Sequence, residues 1–277
     1  MARSAIGRSL CVRAAVAVIV GLLCLAPIAA IASPTACPLH YSGGEAPEIL
    51  SAGLAAKVRE ICKEAFGIFH SGVAAVPLWS AQHLTRAGVI AAKSVDRVDR
   101  FFADPALPES ERSELDHYRG SGYDRGHMAP SADMPTQEAQ SESFSLANIS
   151  PQYPDLNRRL WAHIEATARG IALAYGEAYV VTGVAFEGGT LSRIGSRVLV
   201  PTAIWKAIYI PSAEAASAWW AANAAPGDIY EVISVDELLR RTGIDAFPEL
   251  DPIVKGQVVK LPEPSPANDR IRFASQD

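Results

Sequence analysis

The sequence lacks the short motifs of the commonest hydrolases and has little cysteine. Neither Gly-x-Ser-x-Gly nor His-Glu-x-x-His occurs, which excludes the usual serine-hydrolase and zinc-protease sites. The sequence also has no zinc-finger spacing, helix-turn-helix signal or basic helix, so it predicts no module that reads base edges. The cysteines and their neighbours offer too few ligands for a zinc site. Any chemistry must therefore rest on other polar residues.

A long apolar run, residues 14–25, lies near the N-terminus. Three arginines precede it and Ala-Ile-Ala at positions 30–32 follows it, which is the pattern of a secretory signal cleaved before Ser33. A permanent anchor is the competing interpretation, although the run is short for a membrane-spanning helix. We therefore predict a signal peptide over residues 1–32 and a secreted or periplasmic protein with no membrane attachment after its removal.

Removal of this signal would change both the cysteine content and the charge. Cys37 and Cys62 would remain, and two cysteines in an exported protein most simply form one disulfide. Three arginines and no acidic residue would be lost, so that the formal net charge of −5 becomes −8. An acidic protein repels polyphosphate at long range, so binding of a nucleic acid would depend on a local cluster of arginines.

The most informative stretch is Gly-Tyr-Asp-Arg-Gly-His-Met-Ala-Pro at positions 122–130. Side chains alternate along a strand, so Arg125 and His127 would point to one face and Asp124 to the other. A neutral imidazole can take a proton from water while a guanidinium neutralises phosphate oxygens, as phosphodiester hydrolysis requires. A loop histidine with a local hydrogen bond is the alternative interpretation of so short a motif.

A second polar pattern lies downstream, on a helix predicted over residues 156–172 with Asp155 as a candidate N-cap. Apolar spacing predicts a buried stripe of Leu160, Ile164, Thr167 and Ile171. A neighbouring face carries residues spaced four apart: Asn157, Trp161, Glu165 and Arg169. An asparagine, a carboxylate and an arginine on one face suit an oxygen ligand, an organiser of metal-bound water and a phosphate clamp.

Together the two segments resemble the DNA/RNA non-specific endonuclease family, secreted nucleases with a ββα-metal site, also called a His-Me finger. The family signature is Asp-Arg-Gly-His, then Asn-x-x-Pro-Gln, a second asparagine nine residues after the first, and Glu and Arg eight and twelve residues later. The matching residues here are Asp124 to His127, Asn148, Pro151, Gln152, Asn157, Glu165 and Arg169. Shorter similarities extend the resemblance over about residues 65–235.

The resemblance implies an α+β fold, with a central antiparallel or mixed sheet flanked by helices and a ββα-metal motif. It implies that His127 is the general base and that Asn157 is the one direct protein ligand of a divalent metal. Mg²⁺ suits such a site because it is a hard cation that keeps several waters, and Mn²⁺ is possible. Glu165 would hold water of the metal shell, and Arg125 and Arg169 would offset charge in the transition state.

Other positions are implied to contact the substrate. Asn148 and Gln152 would shape the floor of the site through hydrogen bonds. Arg158 and Arg159 replace the usual Gln-Gly of the family, and they either extend the phosphate groove or form a solvated helix start. Val184 stands where proline usually follows Thr-Gly, which would alter a strand end and leave the chemistry unchanged.

The 277 residues can bury one substantial core. We predict a single nuclease domain over residues 33–260, followed by a mobile tail over 261–277 that begins with a proline-rich stretch. Strands are predicted over 66–70, 77–84, 179–182, 197–200, 205–210 and 230–234. Helices are predicted over 49–63, 110–116, 136–143, 156–172, 213–223 and 235–242. Trp205, Trp219 and Trp220 are predicted to pack in the core.

The sequence thus predicts a secreted, Mg²⁺-dependent endonuclease that hydrolyses DNA and RNA with little sequence preference, the resemblance implying 5′-phosphate ends. One alternative is a catalytically inactive protein on the same fold that binds nucleic acid or another surface. A phosphodiesterase of small substrates is a narrower alternative. The sequence does not indicate an oligomeric state.

Overall fold

A seven-stranded antiparallel sheet dominates the structure. The computed structural model describes Met1 and residues 35–51 and 53–268, so the rest of the predicted signal peptide and residues 269–277 lie outside the described residues. The strands are β1 Glu48–Ile49, β2 Val58–Cys62, β3 Gly67–Ser71, β4 Val76–Thr85, β5 Asp124–His127, β6 Ile149–Gln152, β7 Glu177–Ala185, β8 Arg193–Ile194, β9 Val198–Leu199, β10 Ala203–Ile210, β11 Ala215–Ala222, β12 Tyr230–Ile233 and β13 Ile244–Asp245. The large sheet has the order β12-β11-β10-β7-β4-β3-β2.

Helices lie between and beyond these strands. They are α1 Arg86–Ala92, α2 Leu115–Tyr118, α3 Gln137–Ser143, α4 Ala162–Tyr175, α5 Val235–Thr242 and α6 Pro252–Gly256. A π-helical segment, Leu156–Trp161, leads directly into α4. Side-chain caps start four of these helices: Thr85 caps α1, Thr136 caps α3, Ser234 caps α5 and Asp251 caps α6. The predicted α+β fold is confirmed.

Both faces of the large sheet are covered by apolar packing. Neighbouring residues of β7 serve different cores: Val180 packs with Ile164 of α4, and Val181 packs in the cluster that contains Leu238 of α5. A strand buried on both faces carries a continuous apolar run instead of alternating polar and apolar residues. The sequence of β11, Ala-Ala-Ser-Ala-Trp-Trp-Ala-Ala, follows from this position in the sheet.

The sequence predicts most of the central elements correctly. Strands predicted over 66–70, 77–84, 179–182, 205–210 and 230–234 are confirmed, as are helices over 136–143, 156–172 and 235–242. The predicted core positions of Trp205, Trp219 and Trp220 are also confirmed, because all three side chains are buried. The stripe of Leu160, Ile164, Thr167 and Ile171 is buried as predicted.

Two predicted helices are wrong. Residues 49–63 form the end of β1 and the strand β2, which pairs with β3 at the edge of the large sheet. Residues 213–223 contain β11, which pairs on both sides with β10 and β12. Both segments are rich in alanine, whose helix propensity is weaker than the hydrogen bonds and packing that the sheet provides. The helix predicted over 110–116 begins too early, since α2 is Leu115–Tyr118. The strand predicted over 197–200 is too long, since β9 is Val198–Leu199.

Links outside the sheet tie both ends of the described chain to the core. The predicted disulfide between Cys37 and Cys62 is present, with the Cα atoms 5.5 Å apart, and joins the N-terminal segment to β2. Near the other end, Leu261 is buried and Asn268 Nδ2 donates to Thr167 Oγ1 of α4 at 2.7 Å. A Cβ atom at Gly170 would lie 2.1 Å from the Asn268 carbonyl oxygen. Residues 261–268, where the predicted tail starts, thus lie against α4.

A separate two-stranded sheet pairs β5 with β6, and a glycine allows it to close. A Cβ atom at Gly126 would lie 2.0 Å from Cδ of Gln152, whose side chain is fully buried beside it.

Gly126→Ala is therefore expected to cost about 1–3 kcal/mol of unfolding free energy, because Gln152 must move within a filled interior. Urea unfolding measures this cost. Gly189→Ala is the matched control, since a Cβ atom there meets nothing within 4 Å, and equal stability of the two variants would contradict the prediction.

A buried histidine in β3 makes the stability depend on pH. The His70 side chain is 0% exposed and neither ring nitrogen has a hydrogen-bond partner among the described residues. Burial lowers the pKa of His70 from 6.5 to about 4, against the opposing effect of Asp104. The unfolded chain therefore takes up a proton first, so the unfolding free energy falls as pH falls from 6.5 towards 4, by about 2 kcal/mol at pH 5. Urea unfolding of His70→Leu between pH 7 and 5 should show a shallower loss than the wild type, and identical pH slopes would refute this.

Candidate active site

A cleft of about 200 Å³ brings together residues from distant parts of the sequence. Its lining consists of Arg97, Phe101, Arg125, His127, Pro130, Ser131, Ala132, Asn157, Ala162 and Glu165. Four of the predicted site residues are therefore in one cavity: Arg125, His127, Asn157 and Glu165. The strand β5 supplies the first two, and the π-helical segment and α4 supply the others.

The imidazole of His127 is packed between two aromatic side chains. Its ring centroid lies 4.8 Å from that of Phe144 and 5.5 Å from that of Phe101. The Nε2 atom is buried and has no hydrogen-bond partner among the described residues. Burial, followed by the positive charge of Arg97, lowers the pKa of His127 to about 3. The ring is therefore neutral at neutral pH, which is the form that accepts a proton.

Arg125 lies on the same side of β5 as His127. Its guanidinium carbon is 4.1 Å from the centroid of the Phe101 ring, a cation–π contact that fixes the group beside the imidazole. The intervening Gly126 points to the other, buried side. The side chains of β5 thus alternate as predicted, and Arg125 and His127 lie together in the cleft.

Asp124 holds the side chain of Asn157. The Asn157 Nδ2 atom donates to Asp124 Oδ2 at 2.9 Å, and Arg158 donates two further hydrogen bonds to the same carboxylate at 2.8 and 2.6 Å. Burial raises the pKa of Asp124, but the bonds from Arg158 and Asn157 outweigh it, so the pKa lies below its ordinary value. Because the amide nitrogen is committed to Asp124, the Asn157 carbonyl oxygen is the atom left to accept a ligand.

The π-helical segment changes the spacing of the polar stripe. Trp161, which the sequence places on the same stripe as Asn157, is instead fully buried. A π-turn has i→i+5 hydrogen bonds, so residues four apart do not share a face there, and such turns are frequent at functional sites. Asp155 occupies the position before this segment but makes no side-chain cap. Trp161 is buried beside Lys206 of β10, whereas Asn157 and Glu165 of the same predicted stripe line the cleft.

Glu165 lies next to the buried side chain of Lys206. Burial raises the pKa of Glu165 to about 7, and the nearby positive charge of Lys206 opposes that rise. Lys206 is itself buried; its Nζ donates to Thr182 Oγ1 and lies 5.6 Å from the centroid of the Trp161 ring. A carboxyl with such a pKa can exchange protons near neutral pH.

Arg169 extends the same network. Its Nη1 donates to Asp133 Oδ1 at 2.7 Å, and Gln82 Nε2 donates to Asp133 Oδ2 at 2.9 Å. Arg169 lines a second pocket next to the cleft, and this pocket shares Arg97, Ser131 and Ala132 with it. The arginine thus lies at the border of the site, held by a buried carboxylate.

The sequence profile of the DNA/RNA non-specific endonuclease family matches residues 45–252. The chain belongs to this family. It is 35% identical over 164 residues to Nuclease C1 of Cunninghamella echinulata var. echinulata, covering 55% of this chain and 65% of that protein. It is 29% identical over 198 residues to the mitochondrial endonuclease G of Bos taurus, covering 68% of this chain and 66% of that one.

A solved structure supports the same assignment. The EndoG/EndoGI complex contains a chain that matches with a TM-score of 0.64 and 28% identity, over 69% of this chain and 86% of that chain. The match to a nuclease of Syncephalastrum racemosum, 42% identical over 111 residues, covers only 35% of that protein. This member of the endonuclease family therefore spans about one third to two thirds of the curated relatives it matches.

Two of the predicted substrate-binding residues in this family member lie inside the protein. Asn148 is 0% exposed; its Oδ1 accepts from Ser80 and Ala129, and its Nδ2 donates to the carbonyls of Ala129 and Ser143. Gln152 is also 0% exposed and packs on Gly126. Neither residue lines the cleft, because protein neighbours enclose them. Both side chains pack behind β5 and β6.

Arg158 and Arg159 also lie outside the lining of the cleft. The Arg158 guanidinium, 68% exposed, is engaged by Asp124. Arg159 is exposed to solvent. Of the two interpretations left open by the sequence, the geometry gives Arg158 a supporting role at Asp124 and places Arg159 on the solvated start of the helix.

Three contributors to the site carry no role in the sequence analysis. Arg97 and Phe101 reach the cleft from an irregular segment after α1, where no spacing signal links them to the motif. Asp124 is part of Asp-Arg-Gly-His, but its partners become visible only in three dimensions. Arg97 and Phe101 can be found only from the folded structure. Asp124 is visible in the sequence, because it is the acidic residue of the motif itself.

The role expected for Asn157 as a metal ligand gives a test: Asp124→Ala should raise the Mg²⁺ concentration needed for half-maximal activity by about 10- to 100-fold, because Asn157 loses the group that orients it. A metal titration of nuclease activity measures this shift. Arg158→Ala is the matched control: it breaks the exposed ion pair but leaves the acceptor of Asn157, and exposed pairs contribute only about 0–1 kcal/mol. Equal metal requirements for the two variants would contradict the assignment.

Within residues 35–51 and 53–268, no three His, Cys, Asp or Glu side chains gather as a metal-binding group. In the same part of the chain, no helix has both the length and the apolar character to cross a bilayer.

Proposed function

We propose that the chain is a metal-dependent endonuclease that hydrolyses the phosphodiester bonds of DNA and RNA with little sequence preference. The observation that carries this proposal is the meeting of His127 and Asn157 in one cleft with Arg125 and Glu165. Membership of the endonuclease family supports the reaction class. We assign His127 as the general base, with Arg125 and Arg169 as cations that bind the phosphate.

The site fits proton removal from water. The depressed pKa of His127 keeps the imidazole neutral, and the aromatic contacts to Phe101 and Phe144 fix its ring. Arg125 offers charged hydrogen-bond donors beside it, and Arg97 adds a second cation at the same cleft. Guanidinium groups can bind two phosphate oxygens at once and stabilise the additional negative charge that develops as phosphorus becomes five-coordinate.

The residues also fit a divalent cation of the Mg²⁺ type. Nδ2 of Asn157 is held by Asp124, and no described residue donates a hydrogen bond to its carbonyl oxygen. Glu165 supplies a carboxyl group in the same cleft. Hard cations such as Mg²⁺ prefer oxygen ligands and accept a single protein oxygen with water in the remaining positions. When bound, such an ion would polarise the phosphate and stabilise the leaving oxygen. Mn²⁺ has similar ligand preferences and is the alternative ion.

Low sequence preference follows from the kinds of contact available. The polar side chains at the cleft include two arginines, an amide and a carboxyl group, which suit phosphate and metal. Contacts to phosphate carry no sequence information. The formal net charge of −5 means that substrate attraction must come from these local groups.

We further propose that the protein is secreted or periplasmic and carries no membrane attachment after loss of residues 1–32. The N-terminal sequence pattern supports this, and the Cys37–Cys62 disulfide is compatible with an oxidising compartment. Some relatives are named as mitochondrial nucleases, so the compartment must be measured for this chain. Mass spectrometry of the protein from its native culture fluid should find Ser33 at the N-terminus; recovery of full-length protein in membranes would argue for an anchor.

A plasmid-nicking assay tests the activity. Purified protein from Ser33 onward should convert supercoiled plasmid and structured RNA to fragments in Mg²⁺ or Mn²⁺, and EDTA should stop both reactions. The alternative, an inactive nucleic-acid-binding or surface-interaction protein on this fold, would bind without cutting. A phosphodiesterase of small substrates would instead cleave a dinucleotide mimic faster than a long duplex.

A further inference from the structure

The second pocket next to the cleft has a chemistry of its own. Its volume is about 230 Å³, and it shares Arg97, Ser131 and Ala132 with the cleft, so the two spaces lie side by side. The volume is well above the roughly 10–15 Å³ that one water molecule needs. A group on a molecule bound in the cleft could therefore extend into it.

The lining of this pocket is positive. Lys93, Arg97 and Arg169 contribute to it, and no aspartate or glutamate is among its described lining residues. Arg97 is held by Asp99 at 2.6 Å and by Ser131 Oγ at 2.8 Å, and Arg169 is held by Asp133. Lys93, at the C-terminal end of α1, is exposed and has no ion-pair partner in the described part of the chain. Its charge is thus available to an anion.

A buried amide supplies a directional donor in the same pocket. Gln140 is only 1% exposed, and its Oε1 accepts from Gln137 Nε2 at 3.1 Å. Its Nε2 is buried without a hydrogen-bond partner among the described residues. Buried donors are nearly always paired in native proteins, so an unpaired one in a pocket wall indicates a ligand that accepts a hydrogen bond. Together with Lys93 it suits an anionic oxygen.

We propose that this pocket binds a phosphate of the substrate strand adjacent to the scissile one. The inference rests on the proposed function, because it takes the cleft as the position of the scissile phosphate. Phosphates repeat at a regular short interval along each strand, so a chain cut in the cleft places the next phosphate nearby. A phosphate presents only acceptor oxygens, which match the ammonium group of Lys93 and the amide of Gln140.

Short probes with one internal diester test the subsite. TpT has the scissile diester alone, whereas pTpT and TpTp add a terminal phosphate on one side or the other. Calorimetry with His127→Ala protein in Mg²⁺ avoids turnover. One of the phosphorylated probes is expected to bind about tenfold more tightly than TpT, the effect of one or two charged hydrogen bonds. Lys93→Glu and Gln140→Leu, each added to this background, should remove that advantage.

Charge and anion controls separate the possible outcomes. Lys260→Ala removes an exposed lysine outside the pocket and should preserve the tenfold ratio. The proposal is overturned if neither terminal phosphate improves binding, or if the gain survives Lys93→Glu. Inorganic phosphate tests whether the pocket binds a free anion instead of the strand. That result would be phosphate binding that is lost in Lys93→Glu, together with no increase in affinity from either terminal phosphate of the probes. Plasmid cleavage by the wild type reports independently on the proposed function.

Discussion

Replacing His127 by alanine is expected to lower kcat on plasmid DNA by about 100- to 10,000-fold, the usual contribution of a general base. The site would lose its proton acceptor, while the arginines that line the cleft remain in place. Binding of nucleic acid should therefore persist. Steady-state kinetics and a filter-binding assay on the same preparation measure the two effects.

His163→Ala provides a matched control for this experiment. His163 is a half-buried histidine on α4 that does not line the cleft, so its removal should change kcat only slightly. Thermal melting of both variants checks that each is folded. If His127→Ala retained activity within about tenfold of the wild type, outside the range for a lost general base, the imidazole would have to be given another role.

Replacing Asn157 by alanine is expected to raise the Mg²⁺ requirement by more than about 100-fold, beyond the range for loss of an orienting group. The change removes the one protein oxygen that we assign to the ion, while the Asp124–Arg158 pair can still form. Activity should then be undetectable at ordinary Mg²⁺ concentrations. Titration of nuclease activity with Mg²⁺ and with Mn²⁺ measures the shift.

Asn157→Asp tests the same assignment with a smaller change. It keeps an oxygen in place but puts a carboxylate next to Asp124, so we expect activity between those of the wild type and the alanine variant, because like charges in contact are unfavourable. An unchanged Mg²⁺ midpoint in Asn157→Ala would show that this amide does not hold the ion.

The sequence predicts the α+β fold, and within β5 it predicts which residues share a face. Arg125 and His127 share a face because a strand alternates, and this local rule needs no knowledge of the rest of the chain. The meeting of His127 with Asn157 came from the family resemblance, and both residues line one cleft. By contrast, β11 looks helical in the sequence because alanines fill both of its buried faces, and only its neighbours β10 and β12 reveal a strand.

Other features depend on three-dimensional neighbours that no local pattern contains. The polar stripe was placed by counting in fours, and that count contains neither the π-helical form of residues 156–161 nor the full burial of Trp161. Asn148 was assigned to the substrate, yet its amide is consumed by contacts with Ser80, Ala129 and Ser143. For the helix stripe and for Asn148, the residue types predicted a polar site. The direction of each side chain depends on its packing neighbours, which the sequence alone does not give.

The contact between Asn268 and α4 means that the far end of the chain steadies the helix that carries Glu165 and Arg169. One side of α4 packs on the sheet, and at Gly170 it packs against the backbone of Asn268. A protein truncated before residue 261 would lose this packing. We expect the side chains of Glu165 and Arg169 to be less well ordered as a result, although residues 261–268 do not line the cleft.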